Sequence, residues 1–241
     1  MKKVILSFTA VAVIVGIIVV IALAFCNNNE YREDAIRFKE KYEDLNGSET
    51  AGGMIRQTIT IPKDNPFYFA NMDDIVSLIE GGGTGIIYFG FPECPWCRTA
   101  VPAMIEAARE VGIDKIWYMN MTDERNTKII NEDGEIIETV AGTPGYMRLL
   151  DLLDSHLMDY TIPTFGEDRT FLGQKRVFVP FVLVVRNGEV LASKFYTLPI
   201  QNETPFMVFT AEQHRELVNR YITIFDLYLN APDVCLGVDA C

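Results

Sequence analysis

The sequence predicts an α/β fold behind a membrane-spanning N-terminal helix, and three observations carry that prediction. Short apolar runs of strand type, GIIYFGF (85–91) and KIWYMNM (115–121), alternate with segments whose apolar residues recur at helical spacing. Later in the chain, FVLVVRNGEVLASKFY (181–196) reads as two strands about a tight RNG turn. At the start, the 22 residues from Val4 to Phe25 form an apolar run that no charged residue interrupts. As a helix they would be roughly 33 Å long, enough to cross a bilayer's hydrocarbon core.

Lys2 and Lys3 precede that run and the acidic NNNEYRED (27–34) follows it. This asymmetry places the N-terminus in the cytoplasm and everything from Cys26 outward on the far side of the cell membrane. A cleaved secretory signal would have a shorter apolar core and a small residue before the cut, where this chain has Phe25. LAFC (23–26) resembles a lipobox, apart from Phe25, so lipidation of Cys26 is the alternative to a single-pass anchor. The expected organisation is a cytoplasmic stub and anchor over 1–25, a helical spacer and linker over 26–53, a folded body over 54–230 and a cysteine-containing tail over 231–241.

The spacer is charged, with weak helical periodicity through Tyr31, Phe38, Tyr42 and Leu45, and it runs out into Gly52 and Gly53. IRQTITI (55–61) alternates like a strand. NMDDIVSLIEGGG (71–83) reads as a short helix with Asn71 as cap and a glycine stop. From Thr99 onward Val101, Met104, Ile105, Ala108 and Val111 mark a longer helix. TKIINEDGEIIETV (127–140) reads as a hairpin about NEDG, and TPGYMRLLDLLDSHL (143–157) as a helix capped by Thr143 with Pro144 in its first turn. A helix from about Ala211 to Asn230 closes the body, with Leu217, Tyr221, Ile224, Phe225 and Tyr228 on one face.

The composition makes nucleic acid and anionic membrane surfaces poor partners, because 33 acidic residues face 21 basic ones for a net charge of −12. Of five cysteines, Cys94 and Cys97 lie in FPECPWCR (91–98), where a strand feeds a helix. A sulfur at a helix N-terminus meets unpaired N–H groups and the positive end of the helix dipole, which stabilise its thiolate. The thiolate is the attacking species in disulfide exchange, and a second thiol one turn on can resolve the mixed disulfide. Cys94 is therefore expected to attack from a solvent-open position and Cys97 to resolve, with Pro95 suited to the first helical turn and Trp96 either lining the substrate groove or serving as a packing residue. Glu93 should oppose thiolate formation.

IIYFGFPECPWC (86–97), with Pro102 five positions after Cys97, resembles the strand, active-site pair and helix-kinking proline of the thioredoxin superfamily. VFVPFVLVVRNGEVL (177–191) is similar to that family's later segment, in which a cis-proline faces the dithiol. The resemblance implies a central mixed sheet flanked by helices, with an insertion over 122–177 before the cis-proline. It also implies a cis Val179–Pro180 bond, and at Val179 an exposed backbone that pairs with a substrate chain. Tyr88 stands where many members keep a buried acid. GTPGYMRLL (142–150), KRVFVP (175–180) and the anchor look like the membrane-anchored, bacteriocin transport accessory-type proteins of Gram-positive bacteria.

The implied activity is extracytoplasmic thiol–disulfide exchange, as reductase or isomerase, with thiols or disulfides of exported proteins or peptides as partners alongside a membrane redox partner. No metal and no cofactor is called for. A binding module for an exporter or secreted peptide, with incidental thiols, is the alternative. A zinc site would have to recruit Cys235 and Cys241, which are poorly spaced for it. In an exported tail those two cysteines read more simply as a local disulfide, or as an electron relay for the first pair.

Overall fold

The computed structural model describes Val13 and residues 33–163, 169–195, 198 and 206–230. The expected membrane anchor apart from Val13, together with Cys26 and the Cys235/Cys241 tail, lies outside the described residues, among which no helix is long and apolar enough to cross a membrane. The body is a mixed α/β fold. Its five-stranded sheet has the order β1-β3-β2-β8-β9, formed by β1 (Phe67–Ala70), β2 (Gly85–Gly90), β3 (Ile116–Asn120), β8 (Phe181–Arg186) and β9 (Glu189–Phe195). β1 and β2 each pair with β3 in parallel, β8 runs antiparallel to β2, and β9 antiparallel to β8.

All six residues of β2 are buried. Successive strand side chains point to opposite faces, so β2 is covered on both sides by helices. The helices of the body include α2 (Met72–Glu80), α3 (Pro95–Val111), α4 (Pro144–Leu152) and α5 (Ala211–Asn230); α3 packs on α5 and α2 on α4. Their ends follow local chemistry. Asn71 and Asp74 form a reciprocal capping box for α2, and Thr143 caps α4 with Pro144 in its first turn.

Two expectations for the N-terminal half are corrected. Residues 33–43 form α1, which is part of the core rather than a spacer. Phe38 and Tyr42 are fully buried, with the Phe38 ring stacked 4.1 Å from Phe67 and edge-on to Tyr118. Asp34 accepts the Phe69 N–H at 2.9 Å, and the Arg37 guanidinium lies over the Phe69 ring. The second correction concerns IRQTITI. Its side chains alternate, with Gln57, Ile59 and Ile61 inward and Thr58 and Thr60 outward, but it forms only one bridge, Ile55 to Glu49. Side chains take the place of a partner strand. Asn46 bonds both the N–H and the C=O of Ile59, and Glu43 accepts the Ile61 N–H at 2.6 Å.

The segment over 122–177 holds the expected hairpin, β4 (Thr127–Ile130) and β5 (Ile136–Val140), then α4 and a short 3-10 turn (Asp154–His156). It also holds a second hairpin that the sequence signals only weakly, β6 (Met158–Pro163) and β7 (Arg169–Arg176). Side-chain bonds brace the base of the segment: Arg176 donates to the Asn126 carbonyl at 2.6 Å, and Gln174 to the Asn126 side chain at 2.9 Å.

Candidate functional site: a buried dithiol at the start of α3

The chain leaves β2 at Gly90 and turns through Phe91 to Cys94, whose N–H returns to the Phe91 carbonyl at 3.2 Å. α3 begins at Pro95, in the turn where a missing N–H costs nothing. Cys94 is the N-cap. It has extended backbone, and its Sγ accepts the Cys97 N–H at 3.3 Å. Sequence logic therefore located the pair correctly at the helix mouth.

Its exposure is a different matter. Cys94 is only 6% exposed and Cys97 is fully buried, so the expectation of an open attacking sulfur is corrected. The thiol of Cys94 faces inward, donating to the Val179 carbonyl at 3.9 Å. Val179 itself is buried and its peptide bond to Pro180 is cis. The carbonyl expected to be exposed thus already serves Cys94. Pro95 and Trp96 are half-buried, and Trp96 packs against the core from the rim. Both sulfurs are free thiols. Among the described residues no group of three His, Cys, Asp or Glu side chains could hold a metal ion.

The two thiols are polarised in opposite directions. A hydrogen bond from the Cys97 thiol holds the Cys94 pKa below that of an ordinary thiol; the N–H groups of Cys97 and Trp96 and the Arg125 guanidinium add to this, against the cost of burial. Burial pushes Cys97 well up, as do the hydrogen bond and charge of Cys94, while a hydrogen bond from the Tyr88 hydroxyl opposes. Glu93 acts on Arg98 and Tyr118. Thiolate at Cys94 persists as pH falls below about 8.5, where a free cysteine is half protonated. The iodoacetamide rate of the reduced protein should therefore have its midpoint below that pH, and mass mapping should place the label on Cys94. A midpoint at or above 8.5 would show that burial wins over the helix-end donors.

Behind Cys97 lies a set of buried phenols. The Tyr42 and Tyr88 hydroxyls are 3.0 Å apart, and the Tyr88 ring stacks on Tyr118 at 5.6 Å. Tyr88 and Gly90 lie on one side of β2, two residues apart. A Cβ on Gly90 would press into the Tyr88 ring, meeting Cε2 at 2.9 Å and the hydroxyl closer still. The absent side chain at position 90 is thus what lets Tyr88 lie along the strand.

Sequence reasoning missed Arg98 altogether. Its side chain is fully buried, and its N–H groups make five bonds: two to the Gln57 carbonyl, at 3.1 and 2.7 Å, and one each to the carbonyls of Tyr42 (2.7 Å) and Pro92 (3.3 Å) and to the Asn46 side chain. One guanidinium therefore ties α1, the extended 55–61 segment and the loop before Cys94 to the first turn of α3. A signal was present, because the apolar stripe Val101, Ile105, Ala108 continues back by three to position 98. Arg125 was missed as well; its contribution depends on a fold-back that no local pattern encodes.

No protein-family model matches the chain, and a comparison with curated proteins finds no match.

Proposed function

We propose that the chain is a thiol–disulfide oxidoreductase of thioredoxin-like fold, held at the outer face of the cell membrane by its N-terminal apolar run or by a lipid on Cys26, and acting on exported proteins or peptides. The observation that carries this reading is the asymmetry of the dithiol: a slightly accessible Cys94 poised toward thiolate at the α3 N-cap, above a sealed Cys97 held as thiol. The sheet order, the position of the pair between β2 and α3, and the cis bond before β8 support the fold assignment.

In the reducing direction, the Cys94 thiolate attacks one substrate sulfur. A Cys94–substrate disulfide forms, the substrate S–S bond breaks, and the other substrate sulfur departs as a thiolate that takes up a proton. Cys97 then loses its proton and attacks Cys94, releasing the second substrate sulfur and leaving a Cys94–Cys97 disulfide. Two electrons pass from the dithiol to the substrate, and a membrane dithiol partner returns them. The Tyr88 hydroxyl donates to the Cys97 sulfur as its negative charge develops.

The near-complete burial of Cys94 favours a second reading, an accessory binding module whose thiols are incidental. Trapping separates the two. With Cys97→Ala expressed in cells, non-reducing gels should show mixed disulfides that disappear in the Cys94→Ser/Cys97→Ala variant. If nothing is trapped, and the Cys94→Ser/Cys97→Ser variant retains the same co-purifying partners as the parent chain, the binding module is correct.

A further inference from the structure

The segment inserted before β8 brings two arginines to one place. Arg125 lies over the ring of Phe91, 5.0 Å from guanidinium carbon to centroid, and Phe91 is the residue whose carbonyl anchors the Cys94 N–H. Arg176 is held beside it, donating to the Asn126 carbonyl at 2.6 Å and resting on the Tyr160 ring. Arg176 is near enough for its charge to act on Arg125, which in turn feels both thiols and helps to hold the Cys94 pKa down.

Neither arginine forms an ion pair among the described residues, although the chain carries 33 acidic side chains against 21 basic. The Arg125 Nε is sealed from solvent and has no hydrogen-bond partner. Two acids of the same segment are engaged elsewhere: Glu124 accepts the Thr143 hydroxyl at 2.6 Å, and Glu138 accepts the Asn126 amide at 2.7 Å. Two partly desolvated like charges with no counterion among the described residues cost stability, and a buried guanidinium N–H left unbonded adds to that cost. An anion from outside the chain offsets the unneutralised charge.

We infer that Arg125 and Arg176 form an anion site at the rim of the dithiol that selects disulfides carrying a carboxylate beside the reacting sulfur. A planar, forked guanidinium suits a carboxylate, and docking it there sets the adjacent S–S bond against Cys94. The carboxylate can belong to a small acidic disulfide or to a Glu or Asp flanking a cysteine in a protein. The inference rests on the exchange activity proposed above. It adds the class of substrate.

The test measures oxidation of the reduced full chain by three small disulfides of similar size: 3,3′-dithiodipropionate (anionic), its diamide (neutral) and cystamine (cationic). Two disulfide-linked peptides, with Glu or with Lys after the cysteine, complete the set. The parent chain should react about tenfold faster with the anionic than with the cationic member, a ratio that shrinks as salt rises. In Arg125→Gln the ratio should fall towards one, and Arg125→Lys should restore part of it. Arg176→Lys gives a second measure should Arg125→Gln fold poorly. A preference confined to the peptide pair identifies a protein source, and one in both sets identifies the carboxylate alone as sufficient. If Arg125→Gln changes all rates by one common factor, the arginine only stabilises the Cys94 thiolate and the anion site is overturned. Absence of reaction with every disulfide, in parent and variants alike, overturns the exchange activity instead.

Discussion

Arg98→Leu is expected to lower the unfolding free energy by roughly 3–5 kcal/mol, the largest loss from any single change outside the dithiol. Leucine fills much of the space, but four acceptors lose their donors: the carbonyls of Tyr42, Gln57 and Pro92 and one bond to the Asn46 side chain. A buried acceptor left unsatisfied costs about 1–3 kcal/mol, and partial relaxation keeps the sum below four full penalties. The charge itself pulls the other way, because burial disfavours the guanidinium and holds its pKa below the usual arginine value. Replacing a whole buried ionic network with apolar groups can be neutral. Removing only the donor is not, since the backbone carbonyls stay where they are. Arg98→Lys should fall between parent and leucine variant, because an ammonium offers three donors and no planar fork. Urea unfolding of the purified chain measures the effect, and a loss under 1 kcal/mol would mean that water reaches these carbonyls. Since Arg98 also holds the Pro92 carbonyl, the leucine variant should loosen the loop before Cys94 and raise its alkylation rate at fixed thiolate fraction.

Gly90→Ala should cost about 3 kcal/mol and, in the exchange reaction proposed above, slow the resolving step. The added methyl presses into the Tyr88 ring, which cannot yield easily: its hydroxyl is bonded to Tyr42 and its face stacks on Tyr118 within a fully buried strand. A shifted Tyr88 withdraws the hydrogen bond that offsets the upward push on the Cys97 thiol. Less Cys97 ionises, and the mixed disulfide on Cys94 lives longer. Gly90→Ala/Tyr88→Leu removes the ring that the methyl strikes, so the double change should cost clearly less than the sum of the single ones. Strict additivity, with no change in mixed-disulfide lifetime, would mean that the backbone moves to accommodate the methyl and that Tyr88 plays no part in resolution.

Much of this architecture was legible in the chain. The α2 cap at Asn71, the α4 start at Thr143-Pro144, the RNG hairpin and the span of α5 are local signals, each written within a few residues of the structure it produces. α1 was harder to read, because Phe38 and Tyr42 form a narrow apolar stripe among charges. What buries that stripe is Phe67 and Tyr118, about 30 and 80 residues on. IRQTITI has strand alternation with only a single bridge at its start, since beyond Arg56, whose backbone bonds Gly47 and Ser48, side chains of Asn46, Glu43 and Arg98 bond its backbone. β6 and β7 announce themselves weakly, being broken by Pro163 and Gly173.

By itself the sequence determined that two thiols one turn apart stand where a buried strand enters a helix, with a proline ready to begin that helix. Capping and periodicity act over four residues or fewer, and four residues suffice to write them. The tertiary structure alone decided how far Cys94 is covered, that Tyr88 and Arg125 reach the pair, and that Arg98 locks the loop before it. Desolvation and electrostatic interaction depend on distance in space, and the groups that supply them here come from segments as far along the chain as Val179 and Tyr221.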